Sequence, residues 1–251
     1  MTHSDLNSVG TKFPTIRTAG VDGMLVSFAP ELSEPANRAA LAFRAAIEKA
    51  GWDGVEETAS SLVSAFVRFD PLHLEHAALQ ARLEEMVTSR DWYRAPLPEG
   101  RRLWRIPTVF GTDLASQLAD AAAVAGLSES DAVASLTNAR VRVQTIGFAP
   151  GLPYLGQLPE VWDIPRQSEL TKRIPEGALA VAIRQLVLFP ISTPTGWMHV
   201  GQTAIRLFQP DARDPFILRP GDEVAFVQTD QSELANMRSD AFGGATSEVV
   251  L

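Results

Sequence analysis

The sequence predicts an α+β fold in which a small N-terminal α+β domain is followed by a closed or nearly closed β-barrel. Three observations carry this. Helical and strand-like runs alternate through the first third of the chain. From Arg140 onward the texture changes to short β-type runs separated by turns. Between the two lies "SRDWYRAPLPEGRRLWRIP", whose prolines and arginines mark a connection. These readings place the domains at 12–95 and 101–230, with 231–251, "QSELANMRSDAFGGATSEVVL", as a loosely attached tail.

The elements follow in order. "GMLVSFAP" reads as a strand. In the helix that comes next, Ser33 is the cap, Pro35 sits in the first turn, Gly51 is the stop, and Ala36, Ala40, Phe43, Ile47 and Ala50 share one face. "SLVSAFVRFD" is a second strand, and Asp70-Pro71 is expected to cap and open the helix over "LHLEHAALQARLEEMV". Two short helices separated at Gly126 account for "GTDLASQLADAAAVAGLSESDAVASLTNAR", the second opened by Ser128 with Asp131. The barrel runs are "VRVQTIGF", "LAVAIRQLVLFP", "WMHVGQTAIRLF", "FILRP" and "DEVAFVQT", with Pro220-Gly221 forming a type II turn before the last.

Composition removes several function classes. The 251 residues carry 22 basic and 30 acidic side chains, a net charge of -8. That balance gives nucleic acid and anionic membrane surfaces no overall attraction. The helix pair could pass for a DNA-reading motif, but its second helix offers Glu129 and Asp131 and no cation before Arg140, so packing is the expected purpose. Cysteine is absent, which excludes disulfides, thiolate catalysis and Cys-ligated zinc and agrees with a cytoplasmic location. No apolar run approaches the ~20 residues needed to span a bilayer. His73 and His76 share a helical face at i,i+3 without an evident third ligand, so no metal site is expected. Phosphate-binding, dinucleotide-binding and nucleophile-elbow glycine motifs do not occur.

Chemistry concentrates between Gly147 and His199. "GFAPGLPYLGQLP" packs Gly147, Phe148, Pro150, Gly151 and Tyr154 into one loop. Glycine permits close backbone approach, proline stiffens its neighbours, and aromatic rings present a wall, either of a preformed pocket or of a plugged core. Arg166, Lys172, Arg173 and Arg184 are cations in an acidic chain, suited to an anionic ligand or to surface ion pairs. "TPTGW" brings Thr193, Gly196 and Trp197 into a second tight loop, and several such loops at one barrel mouth form a concave site. His199 follows in an alternating strand, either structural or a proton carrier.

The motifs "GFAPGLPYLGQLP", "PR", "IPEGALAVA", "RQ", "FP", "TPTGW" and "VGQT", in this order and spacing, resemble the carboxyltransferase C/D domain family. That family includes the 5-oxoprolinase B subunit, allophanate hydrolase subunit 1 and a sporulation-kinase inhibitor. The likeness also takes in "LVSFAP", "FVRFDP", "RIPTVFGTDLASQLADAAAVAGLS" and "RLFQPDARDPFILRPGDEVAFV". It implies a cyclophilin-like barrel and a C-type companion subunit that completes the active site. With ATP and Mg, the pair would activate a small amide or lactam, 5-oxoproline, before a third subunit hydrolyses it. On this basis Arg166, Gln185 and His199 are the candidate catalytic residues. Gly147, Phe148, Pro150, Gly151, Tyr154, Thr193, Gly196 and Trp197 are the candidate substrate-binding ones. The resemblance leaves two alternatives: the carboxyltransferase part of a biotin-dependent urea or amide carboxylase, or a non-catalytic kinase-inhibitor-like binding module.

Several positions depart from the family pattern. Leu170 and Thr171 stand where proline and a second arginine are expected, Ile183, Val187 and Thr195 replace glycines, Phe189 replaces tyrosine, and His199 replaces an apolar residue. Branched side chains resist positive φ and take up space, so the pocket is expected to be narrower, less polar or differently bent. An apolar patch suited to a permanent interface of about 2,000 Å² or more is expected on the isolated chain.

Overall fold

The computed structural model describes residues 12–250, which divide into two compact units at Leu97 and Pro98. The N-terminal unit contains β1 (Thr15–Thr18), β2 (Gly23–Ser27), α1 (Glu34–Ala50), β3 (Val55–Ser60), β4 (Ser64–Phe69) and α2 (His76–Thr88). Its four strands form an antiparallel sheet in the order β1-β2-β4-β3. α1 begins where the Ser33 hydroxyl accepts the Ala36 N–H and ends where Gly51, at φ +56, donates back to Ile47. Ala36, Ala40, Phe43 and Ile47 are buried with Met24, Val26, Val67 and Phe69, whereas Ala50 is exposed at the last turn. Full burial of Phe43 alone contributes about 1.5–3 kcal/mol. Trp92 stacks edge-on against Phe43 in a short 3-10 turn, Trp92–Arg94, within the stretch read as a connection.

Two expectations for this unit are corrected. Asp70-Pro71 does not open α2: the Asp70 carboxylate accepts the Leu72 N–H and pairs with His73, closing a separate turn, and α2 starts at His76. His73 and His76 consequently share no helical face. His76 stacks on Phe69 instead, and among the described residues no three potential metal ligands cluster.

The C-terminal unit opens with β5 (Arg102–Phe110), then α3 (Leu118–Val124), α4 (Glu129–Asn138), β6 (Arg140–Ile146) and β7 (Pro153–Gly156). β8 (Thr171–Ile174), β9 (Ala178–Ala182), β10 (Gln185–Leu188), β11 (Thr193–Thr195), β12 (Met198–Thr203) and β13 (Glu223–Gln228) follow. Seven strands close a barrel in the order β12-β9-β10-β7-β6-β13-β5, because the C-terminal half of β5 pairs with β12. All seven feed one core, including Ile106, Val143, Leu155, Val181, Leu188, Val200 and Phe226, onto which α3 and α4 add Leu118, Ala122, Ala132 and Leu136. The fold is therefore the α+β arrangement with a barrel that the sequence predicts.

Here too the structure departs from the reading. "LAVAIRQLVLFP" is a hairpin, β9 and β10, turned by Ile183 and Arg184 at φ +45 and +59. "FILRP" is no strand, since Phe216 makes only an isolated bridge to Phe208. The segment after residue 230 is not a loose tail: α5 (Gln231–Met237) is capped by Asp230, and β14 (Thr246–Val249) pairs with the N-terminal half of β5. Pro220-Gly221 does form the expected turn, with Gly221 at φ +96 and Asp222 donating to Arg219.

Candidate functional site

The 147–152 loop leaves β6 and is closed by Gly147 N–H donating to Leu152. Phe148 has a left-handed backbone, φ +72, and is 74% exposed; Pro150 is exposed as well. Gly151, at φ +77, is buried so close to its neighbour that a Cβ there would lie 3.0 Å from the Leu207 carbonyl oxygen. Tyr154 lies edge-on to buried Trp197, ring centroids 6.1 Å apart, and the Arg166 guanidinium stands 5.9 Å from the Trp197 ring. A Cβ on Gly196 would make ordinary van der Waals contact with the Gln167 carbonyl at 3.4 Å and Leu170 at 3.5 Å, so packing does not demand glycine there. Tyr154, Arg166, Gly196 and Trp197 are thus brought together. Arg166 has no carboxylate partner among the described residues, and a cation over an indole face gains about 0.5–1 kcal/mol where it is exposed. Thr193 is half-buried in β11 and donates only to the adjacent Pro194 carbonyl.

Gln185 does not join them. It is 3% exposed and its Nε2 donates to Gln144 Oε1 at 2.6 Å, so it ties β10 to β6 instead of facing a ligand. The substituted positions have separate effects. Ile183 occupies the left-handed hairpin turn, Val187 and Phe189 fill a second apolar cluster with Leu152, Ile174 and Trp197, and the Thr195 hydroxyl accepts the Trp197 N–H.

His199 lies in a different hollow. A cavity of about 660 Å³ is lined by Asp113, Gln117, Thr171, Arg173, Glu176, His199, Gln202, Arg206 and Arg238 among others, and His199 is the one predicted site residue in its wall. The sequence places His199 and Gln202 an odd number of residues apart, which in a regular strand sends them to opposite faces. A bulge between His199 and Gly201 restores them to one face, opposite Ala180 and Ala178 respectively. Both are buried, and His199 Nε2 and Gln202 Oε1 have no hydrogen-bond partner. Desolvation holds the His199 pKa below the usual 6.5, with Gly201 and Gln202 opposing the shift, so the ring is neutral at pH 7. Gln117 ties the hollow to the aromatic layer: its Oε1 accepts the His199 N–H at 2.8 Å and its Nε2 donates to Gln167 at 2.9 Å. Gln167 in turn donates to the Trp197 carbonyl at 3.0 Å.

The class the fold defines is a seven-stranded barrel carrying an arginine-topped aromatic layer and, apart from it, a polar cavity of small-molecule size. Residues 14–218 match the family described as carboxyltransferase domain, subdomain C and D, and the chain belongs to that family. It is 30% identical over 226 residues to the 5-oxoprolinase B subunit of Bacillus subtilis, covering 87% of this chain and 94% of that protein. Among solved structures, TTHA0988 superposes with a TM-score of 0.69 at 29% identity, over 86% of this chain and 40% of the other. Urea carboxylase of Kluyveromyces lactis superposes with a TM-score of 0.70 at 16% identity, over 94% of this chain and 24% of the other, a likeness of fold alone.

Proposed function

We propose that this chain is the B-type subunit of an ATP-dependent, 5-oxoprolinase-like amidohydrolase, working in the cytoplasm with a C-type companion subunit that completes its active site and a third subunit that hydrolyses the lactam. The observation that carries this reading is the 30% identity to the B subunit of a 5-oxoprolinase across 94% of that protein's length. Among the described residues no helix is long and apolar enough to cross a membrane.

Arg166 is the residue best suited to act on a charged oxygen. Its guanidinium has no carboxylate partner among the described residues and overlies Trp197, so it is available to an oxygen that gains negative charge. Tyr154 packs edge-on against the Trp197 ring that the guanidinium overlies. Among the described residues no group of three or more metal-binding side chains occurs, and Mg carried by a nucleotide needs only one or two carboxylates beside the phosphates. The test is to co-purify the chain with its companion subunit and measure 5-oxoproline-dependent ATP hydrolysis for wild type and Arg166→Ala. A loss of about tenfold or more in turnover is expected, the equivalent of one charge-assisted hydrogen bond. Equal rates would remove Arg166 from the reaction, and no lactam-dependent hydrolysis in the wild-type assembly would overturn the reading.

A further inference from the structure

Resting on that functional reading, we propose that Gln167 is the positioning residue for Arg166: it clamps the loop carrying the arginine to the Gly196–Trp197 backbone, and Gln117 fixes the clamp to the barrel.

The loop is the first ground. Residues 165–170 belong to no helix or strand, and Arg166 is an exposed side chain within them. A long cation on irregular backbone samples many rotamers unless its loop is tied down. Among the described residues, the hydrogen bonds that hold this stretch run through Gln167. Its N–H donates to the Gly196 carbonyl at 2.7 Å, and its Nε2 donates to the Trp197 carbonyl at 3.0 Å. Arg166 lies along the same two residues: a Cβ on Gly196 would stand 3.7 Å from Arg166 Nε, and the guanidinium overlies the Trp197 ring. Gln167 therefore ties down the backbone that the arginine crosses.

The direction of the hydrogen bonds is the second ground. The chain of amides begins at a backbone N–H and ends at a backbone C=O, whose donor and acceptor roles cannot change. The His199 N–H takes Gln117 Oε1 as its acceptor, which leaves Gln117 Nε2 as a donor. Gln167 Oε1 accepts from that nitrogen, which leaves Gln167 Nε2 to donate to the Trp197 carbonyl. Each amide thus has one orientation. Gln117 is anchored by its backbone as well: its N–H donates to the His199 carbonyl at 3.2 Å, so it serves both backbone groups of His199 at the bulge, where the ladder is disrupted. The Thr171 hydroxyl closes the set, accepting from Gln117 at 3.2 Å and from Gln167 at 3.3 Å. A polar network satisfied in this way is rigid, and rigidity is what a loop-borne catalytic cation requires.

The test is a double-mutant cycle in the assembled enzyme, with chemical labelling of the isolated chain beside it. Gln167→Leu keeps much of the side chain's bulk and removes both ends of its amide. It is expected to lower kcat/KM for 5-oxoproline about tenfold, and to cause no further loss when added to Arg166→Ala, because its effect passes through the arginine. A residue that only supports the fold gives losses that multiply. In the isolated chain, phenylglyoxal modification is followed at each arginine by peptide mass spectrometry. Gln167→Leu should speed modification of Arg166 about threefold, the equivalent of one exposed cation–π contact. Arg102, clamped by Asp222 and the Ile217 carbonyl, should keep its wild-type rate. Losses that multiply, an unchanged Arg166 rate, or a rise at Arg102 to match would each overturn the assignment while leaving the functional reading in place. If the wild-type assembly shows no lactam-dependent turnover, that reading fails, and the labelling alone decides whether Gln167 holds Arg166.

Discussion

Ile183 is a β-branched residue held at φ +45, in a turn where the family pattern carries glycine, and a substitution series there tests how the hairpin is built. The backbone conformation has a clear use. Ile183 N–H donates to the Ile164 carbonyl at 2.7 Å and Arg184 N–H to the Trp162 carbonyl at 2.9 Å, so the turn anchors the segment leading to Arg166. Left-handed backbone costs an L-residue about 1–2 kcal/mol through its Cβ. Glycine escapes that cost but loses about 0.5–1 kcal/mol more in chain entropy. At this position glycine should therefore be more stable than alanine by about 0.5–1 kcal/mol, the reverse of the order in a regular strand. Ile183 is 47% exposed, so removing its side chain also forfeits about 1 kcal/mol of partial burial. Ile183→Ala keeps the Cβ penalty and loses the packing, and should fall about 1 kcal/mol below wild type, whereas Ile183→Gly stays near it. Urea midpoints followed by tryptophan fluorescence measure the series, and melting temperatures should separate the two variants by about 1–4 °C. Alanine equal to or more stable than glycine would refute a left-handed turn at this position.

Four further outcomes concern the cavity wall, the surface and the hydrogen bonds between them. Gly177→Ala places a Cβ 2.4 Å from the Thr203 carbonyl oxygen at φ +78, and thermal unfolding should show a loss of about 2 kcal/mol or more, with the cavity wall displaced. His199 is held neutral in the folded chain, so below its ordinary value of 6.5 the unfolded chain takes up the proton first. Stability is accordingly complete above that value and declines as pH falls through it; His199→Asn should flatten the difference in urea midpoint between about pH 5.5 and 7.5. Phe208 and Phe216 stack at 5.2 Å on the surface, and Phe208→Ser with Phe216→Ser should weaken co-purification of the companion subunit while leaving the melting temperature within about 2 °C. Gln117→Leu should lower stability by about 1–3 kcal/mol, because it strips partners from the His199 N–H and from Gln167 at once.

What the sequence made legible was whatever depends on local rules. Ser33, Pro35 and Gly51 delimit α1, Gly126 separates α3 from α4, and Gly221 turns the chain into β13, each through backbone preferences that neighbours do not override. Strands without an apolar rhythm escaped it. β3, "VEETAS", is polar because it is a sheet edge, and β14 is exposed along its whole length, so its place is set by pairing with β5 and not by burial. Asp70-Pro71 misled for a related reason: a capping pair also closes an isolated turn, and only the position of the next apolar contact decides which.

The cavity was illegible for a deeper reason. Strand alternation assigns residues to faces by parity, and by parity His199 and Gln202 part company; a single bulged residue, Val200, reverses that and leaves no trace in composition or spacing. Burying a histidine beside Gln202 in this wall costs desolvation, which shows as a His199 pKa held below its ordinary value. Trp197, with Arg166 over its ring, lies at the other end of the Gln117–Gln167 chain of hydrogen bonds, which starts at the His199 backbone N–H. The aromatic layer and the cavity wall are separate surfaces, and the Gln117–Gln167 hydrogen bonds tie the backbone of one to the backbone of the other.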